Sequence, residues 1–383
     1  MKYVQIATPS VGPEELAALV ESLESGWLTQ GPKVKAFEEA FAARHQSPHA
    51  LAVTSCTTAL HLAMLALGIG PGDRVVVPSF TWVATANAAE YCGATPVFCD
   101  SDPETYNIAP AAFRRLVEEM AGRGQKPKAM VAVHLFGLMA GMDEIMATAG
   151  EFGLKVIEDA ACAAGAALNG RPAGTFGDIG CFSFHPRKTI TTGEGGMLLT
   201  ADGQLAEKLA RLRSHGASLS EEARHHGARP WMLPEFNEVG YNYRMSDLQG
   251  AVGLAQIGRL DGFIEERRHW AAWYGRELAG LPWLKLPEAP AGFEHSWQAY
   301  VAVVDEKLSP LGRDEIMEAM EKAGLASRPG THAIHMLGYY RNKYGPQNLP
   351  QAGRLYRQSL TLPLHNRMAE EDYRRVADCL KGL

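Results

Sequence analysis

Between residues 50 and 200, short apolar runs alternate with segments of helical length, and this alternation narrows the possible folds more than any other feature of the chain. Four or five consecutive apolar residues bounded by turn formers predict a buried strand, whereas longer stretches with apolar residues three and four apart predict a helix. Ala50–Thr54 reads as a strand and Ala59–Leu67 as a helix, with Gly68-Ile69-Gly70-Pro71-Gly72-Asp73 breaking the chain before a second strand, Arg74–Pro78. The pattern continues with a helix over Val83–Cys92, a strand over Thr95–Cys99, a helix over Ala109–Met120, a strand over Ala129–Val133 and a helix over Met142–Phe152. Further strands are predicted at Lys155–Glu158, Gly180–Phe184 and Met197–Thr200. Strands separated by helices fit an α/β layered fold on a mostly parallel sheet. Both faces of such a sheet are covered, so its strands are apolar throughout, as Val75-Val76-Val77 and Val131-Ala132-Val133 are.

From residue 245 to about 275 the pattern becomes one of long helix, running from Ser246-Asp247-Leu248-Gln249 through Arg267-Arg268. A mixed region follows, with a strand predicted over Gln298–Asp305 and a helix over Arg313–Lys322. The expectation is a large α/β domain over residues 1–255 and a smaller C-terminal α+β domain over 256–383, joined by a long helix. The net charge of −6 and the lack of any basic cluster argue against a nucleic-acid or membrane-surface role. No apolar stretch approaches the ~20 residues needed to span a bilayer, and the first ten residues lack the apolar core of a signal peptide. A cytoplasmic protein is expected. The six cysteines have no C-x-x-C spacing and read as reduced thiols packed as small hydrophobes, with Cys162 set apart by its position three residues after Asp159.

Four places along this framework carry chemistry. After the first strand, Ser55-Cys56-Thr57-Thr58 opens directly into a helix. Such a turn presents unpaired backbone N–H groups and the positive end of a helix dipole to an anion; the same residues also suit a helix cap. Pro78-Ser79-Phe80-Thr81-Trp82 follows a strand at the carboxyl edge, where open α/β sheets bind ligands, and places an aromatic plane there. Asp159 closes the run Val156-Ile157-Glu158-Asp159, and Lys188 lies 29 positions later, between an apolar strand and Gly193-Glu194-Gly195-Gly196. A lysine amine and a carboxylate so placed are the two protein groups required by pyridoxal phosphate (PLP): the amine forms a Schiff base with the aldehyde, and the carboxylate keeps the pyridine nitrogen protonated. Ser183, five residues before Lys188, is a further candidate phosphate ligand.

These motifs, in this order, resemble the PLP-dependent nucleotide-sugar aminotransferases of the DegT/DnrJ/StrS family, within the fold type I aspartate aminotransferase superfamily. The resemblance spans nearly the whole chain. It runs from Ser25-Gly26-Trp27-Leu28-Thr29-Gln30-Gly31-Pro32 through Ser183–Gly196 to Gly240-Tyr241-Asn242-Tyr243-Arg244-Met245, the last two being its most specific motifs. It implies that Lys188 is the Schiff-base lysine and Asp159 the partner of the ring nitrogen. By the same resemblance Trp82 stacks on the ring, Thr57, Thr58 and Ser183 hold the phosphate, and Asn242 reaches the phosphate of a neighbouring subunit. A homodimer with shared active sites follows. One position departs from the family pattern: Cys162 stands where Gln or His usually meets the cofactor's phenolic oxygen, and a thiol is the weaker hydrogen-bond partner.

The expected reaction is transamination of a keto sugar, most simply a nucleotide-linked one, with an amino acid such as L-glutamate as donor. His185, Arg328 and His332 are candidate substrate residues; Arg328 suits a diphosphate or carboxylate, or equally a surface ion pair. The alternatives are a PLP-dependent sugar dehydratase, whose relatives carry His where Lys188 stands, and a non-catalytic PLP-binding regulator. No G-x-G-x-x-G or G-x-x-x-x-G-K-[ST] motif supports a nucleotide-binding fold of those kinds. His332 and His335 have H-x-x-H spacing, yet no cysteine or carboxylate pattern accompanies them and no metal site is expected. His225-His226 falls in a polar loop, solvated or facing substrate.

Overall fold

A computed structural model describes residues 2–218 and 233–383, so His225 and His226 lie outside the described residues. Seven strands form the main sheet: β1 (His49–Val53), β2 (Arg74–Pro78), β3 (Thr95–Cys99), β4 (Ala129–Val133), β5 (Lys155–Asp159), β6 (Ile179–Ser183) and β7 (Gly196–Thr200). Their order across the sheet is β1-β7-β6-β5-β4-β2-β3. The β3–β2, β2–β4, β4–β5 and β5–β6 pairs are parallel, and β7 runs against both its neighbours, so it alone is reversed. This mostly parallel sheet, covered by helices, is the large layer predicted from the alternation.

The pleat sorts side chains to the two faces. Val76, Met130, Ala132 and Phe182 point into one core with Phe37, Phe41 and Phe184. Their neighbours Val75, Val77, Val131 and Cys181 point into the other with Leu60, Leu62 and Leu198. A third core gathers Tyr274, Tyr300, Leu360 and Tyr373 around an antiparallel sheet of Leu284–Lys285, Tyr300–Val304 and Ser359–Leu362, flanked by the helices Arg313–Lys322 and Glu370–Lys381. Val4 enters this core from the other end of the chain, through a bridge to Leu325.

The long helix expected over residues 245–275 is instead two, Asp247–Ile257 and Leu260–Glu277, meeting at Gly258 and Arg259. The first lies so close to helix Pro32–Arg44 that a Cβ on Gly250 would stand 2.7 Å from the Val34 nitrogen, and one on Gly253 2.5 Å from the Phe37 ring. The second spans two cores: Leu260, Phe263 and Ile264 belong to the first, and Ala271, Tyr274 and Leu278 to the third. Asp247 ties two distant motifs together. Its buried carboxylate accepts from the backbone N–H groups of Gly31 (2.9 Å), Lys33 (3.1 Å) and Val34 (2.9 Å), capping a helix whose own Gly31 has no side chain to do so.

Candidate active site

The carboxyl ends of the parallel strands and the amino end of the reversed β7 share one edge of the sheet. Gly196 at the start of β7 pairs with both Ser183 and Val53, while Cys181 in β6 pairs with Asp159. The segment carrying Lys188 is therefore a hairpin closed at its base by the sheet ladder. It is fastened along its length as well. Lys188 N–H donates to His185 O (2.8 Å), the Thr191 hydroxyl donates to Phe184 O (2.8 Å), and Thr191 N–H donates to Gln256 Oε1 (3.1 Å). Gln298 Nε2 donates to Arg187 O at 2.8 Å, so a residue of the C-terminal region holds the peptide next to the lysine. The half-buried Lys188 amine donates to Cys162 Sγ at 3.1 Å.

Asp159, 5% exposed, ends β5 on the same edge. Its Oδ2 accepts from the Thr85 hydroxyl at 2.8 Å and its Oδ1 from Ala161 N–H at 3.2 Å, with the Cys56 thiol 3.9 Å away. Burial first, and then the Asp159 charge, push the Cys56 and Cys181 thiols well above their ordinary range, so both stay protonated. All six cysteines are free. Thr85 carried no recognisable sequence signal; it is the second residue of the helix Ala84–Tyr91, and only the fold aims it at Asp159.

The turn into helix Cys56–Ala66 separates two threonines expected to act together. The Thr58 hydroxyl donates to Ser55 O (2.7 Å) and Thr58 N–H to Ser55 Oγ (3.2 Å), so both donors of Thr58 serve the helix cap. Thr57 is different. Neither its hydroxyl nor the backbone N–H groups of Cys56 and Thr57 have a partner among the described residues, and they are left to meet an anion. Ser183, half-buried at the end of β6, accepts from His185 N–H at 3.4 Å. The Trp82 indole is 60% exposed, just beyond the two-residue strand Phe80–Thr81. Asn242 is exposed, and its backbone bridges Ser214.

The C-terminal region reaches this edge through a short ladder in which His332 pairs with Thr81 and Ala333 with Phe80. The His332 ring lies 5.6 Å from that of Trp82 and 6.2 Å from that of Tyr356, and its Nδ1 is buried without a hydrogen-bond partner. His335 is turned inward onto the Ser79 hydroxyl. Arg328 is bridged to Thr361, and its Nε is likewise buried without a partner. Burial, then the nearby Arg187, lowers its pKa from the ordinary guanidinium value, against the Cys162 thiol. His185 accepts Arg187 N–H on Nδ1 at 3.2 Å, and burial lowers its pKa. No group of three or more His, Cys, Asp and Glu among the described residues is placed to hold a metal ion.

The donor set fits PLP. An amine, a buried and braced carboxylate, an exposed indole and a helix start with unpaired N–H groups face one edge of the sheet, and two buried nitrogens nearby lack acceptors. The profile of the DegT/DnrJ/EryC1/StrS aminotransferase family matches residues 9–381. The spore coat polysaccharide biosynthesis protein SpsC of Bacillus subtilis is 38% identical over 384 residues, covering 100% of this chain and 97% of that protein. The aminotransferase TlmJ of Streptoalloteichus hindustanus superposes with a TM-score of 0.90 at 33% identity, covering 99% of this chain and 98% of that one. The Spr1654 protein of Streptococcus pneumoniae, solved in a PLP form, superposes with a TM-score of 0.89 at 25% identity, over 99% and 98% of the two chains. The chain belongs to the DegT/DnrJ/EryC1/StrS aminotransferase family, whose members depend on PLP.

Proposed function

We propose that the protein moves an amino group from an amino acid, L-glutamate by first choice, to a ketone on a sugar, most simply a nucleotide-linked one, yielding an amino sugar for a polysaccharide or related product. The observation that carries this reading is Lys188 itself: a lysine, where a dehydratase has histidine, at the tip of a pinned hairpin with its amine 3.1 Å from Cys162 Sγ. SpsC, by its name a protein of spore coat polysaccharide biosynthesis, supports the sugar class. PseC of Helicobacter pylori, an aminotransferase of pseudoaminic acid biosynthesis, supports it too, with a TM-score of 0.90 at 26% identity.

When bound, PLP supplies an electron sink beside the carbon that loses its proton. Asp159 holds the ring nitrogen's proton by opposite charge, and its own position is held by Thr85 and Ala161. Trp82 would cover one face of the ring. The N–H groups of Cys56 and Thr57, the Thr57 hydroxyl and Ser183 would hold the phosphate, with Thr58 in support through the cap, and Asn242 would extend to a second copy of the chain in a homodimer. Lys188 Nζ takes the proton from the donor carbon and returns it on the acceptor side. Cys162, in contact with Nζ, stands where Gln or His would usually meet the cofactor's phenolic oxygen. His185, Arg328 and His332 meet substrate. A cytoplasmic setting suits this chemistry, and no helix among the described residues is long and apolar enough to cross a membrane.

The test is a panel of keto sugars incubated with the PLP-loaded protein and L-glutamate, alongside Lys188→Ala. Amino-sugar formation and 2-oxoglutarate release are expected, and the visible band of the lysine-bound cofactor should be missing from Lys188→Ala. Deoxygenation without amination would identify a dehydratase, and an unchanged Lys188→Ala spectrum would remove the assignment.

A further inference from the structure

A short segment of the C-terminal region, His295-Ser296-Trp297-Gln298, holds the backbone on both sides of the contact between Lys188 and Cys162. The Gln298 carboxamide, 7% exposed, donates from Nε2 to Arg187 O at 2.8 Å and so fixes the peptide bond that leads into Lys188. The fully buried Ser296 hydroxyl lies 3.3 Å from Cys162 O and 3.4 Å from Gly137 O, and the Ser296 N–H donates to Gly137 O at 3.0 Å. Cys162 follows β5, whereas Lys188 stands between β6 and β7, so the sheet alone does not bring the amine and the thiol to 3.1 Å. Ser296 and Gln298, two positions apart, tie the two loops to one piece of chain.

That piece of chain is held in a strained shape. Trp297, between the two, has φ +52°, a left-handed conformation that a bulky residue adopts only at a cost. Its N–H donates to His295 Nδ1 at 2.8 Å, and the two rings stack with centroids 3.9 Å apart. The buried Arg267 guanidinium donates from Nη1 to Trp297 O (3.3 Å), Gln298 O (3.2 Å) and Leu364 O (3.1 Å), and from Nε to Asn366 Oδ1 (2.8 Å). Opposite, a Cβ on Gly137 would stand 2.5 Å from Ser296 Oγ and 2.9 Å from Gln298 N, so only glycine fits there. Strain of this kind persists where the surroundings over-determine it, and it gathers where exact placement serves the chemistry. What is placed here is Lys188. Its amine serves both cofactor and proton transfer from the end of one four-carbon chain, and an error at its backbone is passed on to Nζ. We infer that Gln298 and Ser296 are positioning residues for Lys188, the first setting the lysine's own backbone and the second that of Cys162, with Arg267 holding the two in place. This rests on the aminotransferase reading above.

The experiment compares Gln298→Met, which keeps the side chain's length and removes its donor, with Ser296→Ala, which removes the hydroxyl. In the PLP-loaded protein, each should lower kcat by at least about tenfold and leave the donor and acceptor KM values within about twofold of wild type. A second readout needs no turnover. Apoprotein is treated with a trace of acetic anhydride over a range of pH, and mass spectrometry follows the labelling of each lysine. Once its contact with Cys162 is loosened, Lys188 should label about fivefold faster, the factor equivalent to one ordinary hydrogen bond, while the other lysines keep their wild-type rates. Either variant decides if the other fails to fold. Wild-type kcat, or Lys188 labelling that matches wild type, would overturn the inference. So would faster labelling shared by all the lysines, since that reports lost stability rather than a misplaced amine. Failure of the wild-type protein to aminate any sugar would overturn the proposed function, and the apoprotein labelling would still decide the positioning.

Discussion

Gly196→Ala should separate cofactor binding from folding. Gly196 opens β7 opposite Val53, and a Cβ placed on it would stand 2.5 Å from Ser55 C, 2.6 Å from Ser55 O and 2.7 Å from Cys56 N. All three are backbone atoms at the start of the helix that presents the unpaired N–H groups, so no side chain can swing aside. Ordinary contact begins at 3.4 Å, and the helix start must retreat by about 0.9 Å to restore it. Overpacking of this kind costs about 1–3 kcal/mol of stability. Displacement of a binding group by about 1 Å costs on the order of a hundredfold in what that group does. PLP titrated into apoprotein and followed by absorbance should therefore show a Kd raised by roughly 10- to 100-fold. Gly68→Ala is the control. It lies just past the other end of the same helix, with φ +72° and nothing within 4 Å of its added Cβ. It should lose about 1 kcal/mol of stability through backbone strain and keep its cofactor affinity. If Gly196→Ala binds PLP as the wild type does, the helix start is not the phosphate cradle.

Thr85→Val removes the hydroxyl that donates to Asp159 at 2.8 Å while keeping the side chain's shape, and should weaken PLP binding about tenfold; Thr85→Ser should not, and equal behaviour of the two would show that the hydroxyl does not brace the carboxylate. His134→Phe should cost about 3 kcal/mol in denaturant unfolding, because Glu158, fully buried, loses its 2.8 Å partner and retains only backbone N–H donors; a loss below about 1 kcal/mol would mean those donors suffice. Burial lowers the pKa of His45 to about 4, of His295 to about 3 and of His365 to about 4, each from 6.5. Below pH 6.5 the unfolded chain takes up protons that the folded one refuses, so stability should fall as pH drops from 6.5 towards 4, by up to about 1.4 kcal/mol per pH unit for each histidine. Stability independent of pH across that window would show that these rings are not buried as neutral bases.

The elements most legible in the sequence were those whose neighbours along the chain decide their state. Arg74–Pro78, Thr95–Cys99 and Ala129–Val133 are strands with the predicted bounds because a run of buried apolar residues ends abruptly at a breaker. The helix over 245–275 misled because apolar residues continue across Gly258, yet Asp247–Ile257 packs against residues 32–44 and Leu260–Glu277 spans two cores, a division that periodicity does not register. Residues 55–58 show the same limit within the site. The hydroxyl-rich turn is plain to read, yet which threonine caps and which remains available depends on rotamers, and the structure gives the cap to Thr58. Thr85 and Gln298 were invisible for a related reason: each acts on a residue more than 70 positions away.

The two-residue ladder between Phe80–Thr81 and His332–Ala333 has a consequence for turnover. Lys188 and Asp159 are anchored in the seven-stranded sheet, and Arg328 and His332 belong to chain fastened to that edge by this ladder, by an apolar core that joins Phe80 and Phe136 to Val301, Ala333 and Leu355, and by bonds such as Tyr340 to Asn87 and Ala352 N–H to Asp100. The substrate side is therefore held to the cofactor side by packing as well as by the ladder. A transaminase exchanges one small molecule for another midway through every turnover and must not shed its cofactor when it does so. Joint anchoring of the two halves meets that need: the site keeps its shape while one small molecule leaves and the next arrives.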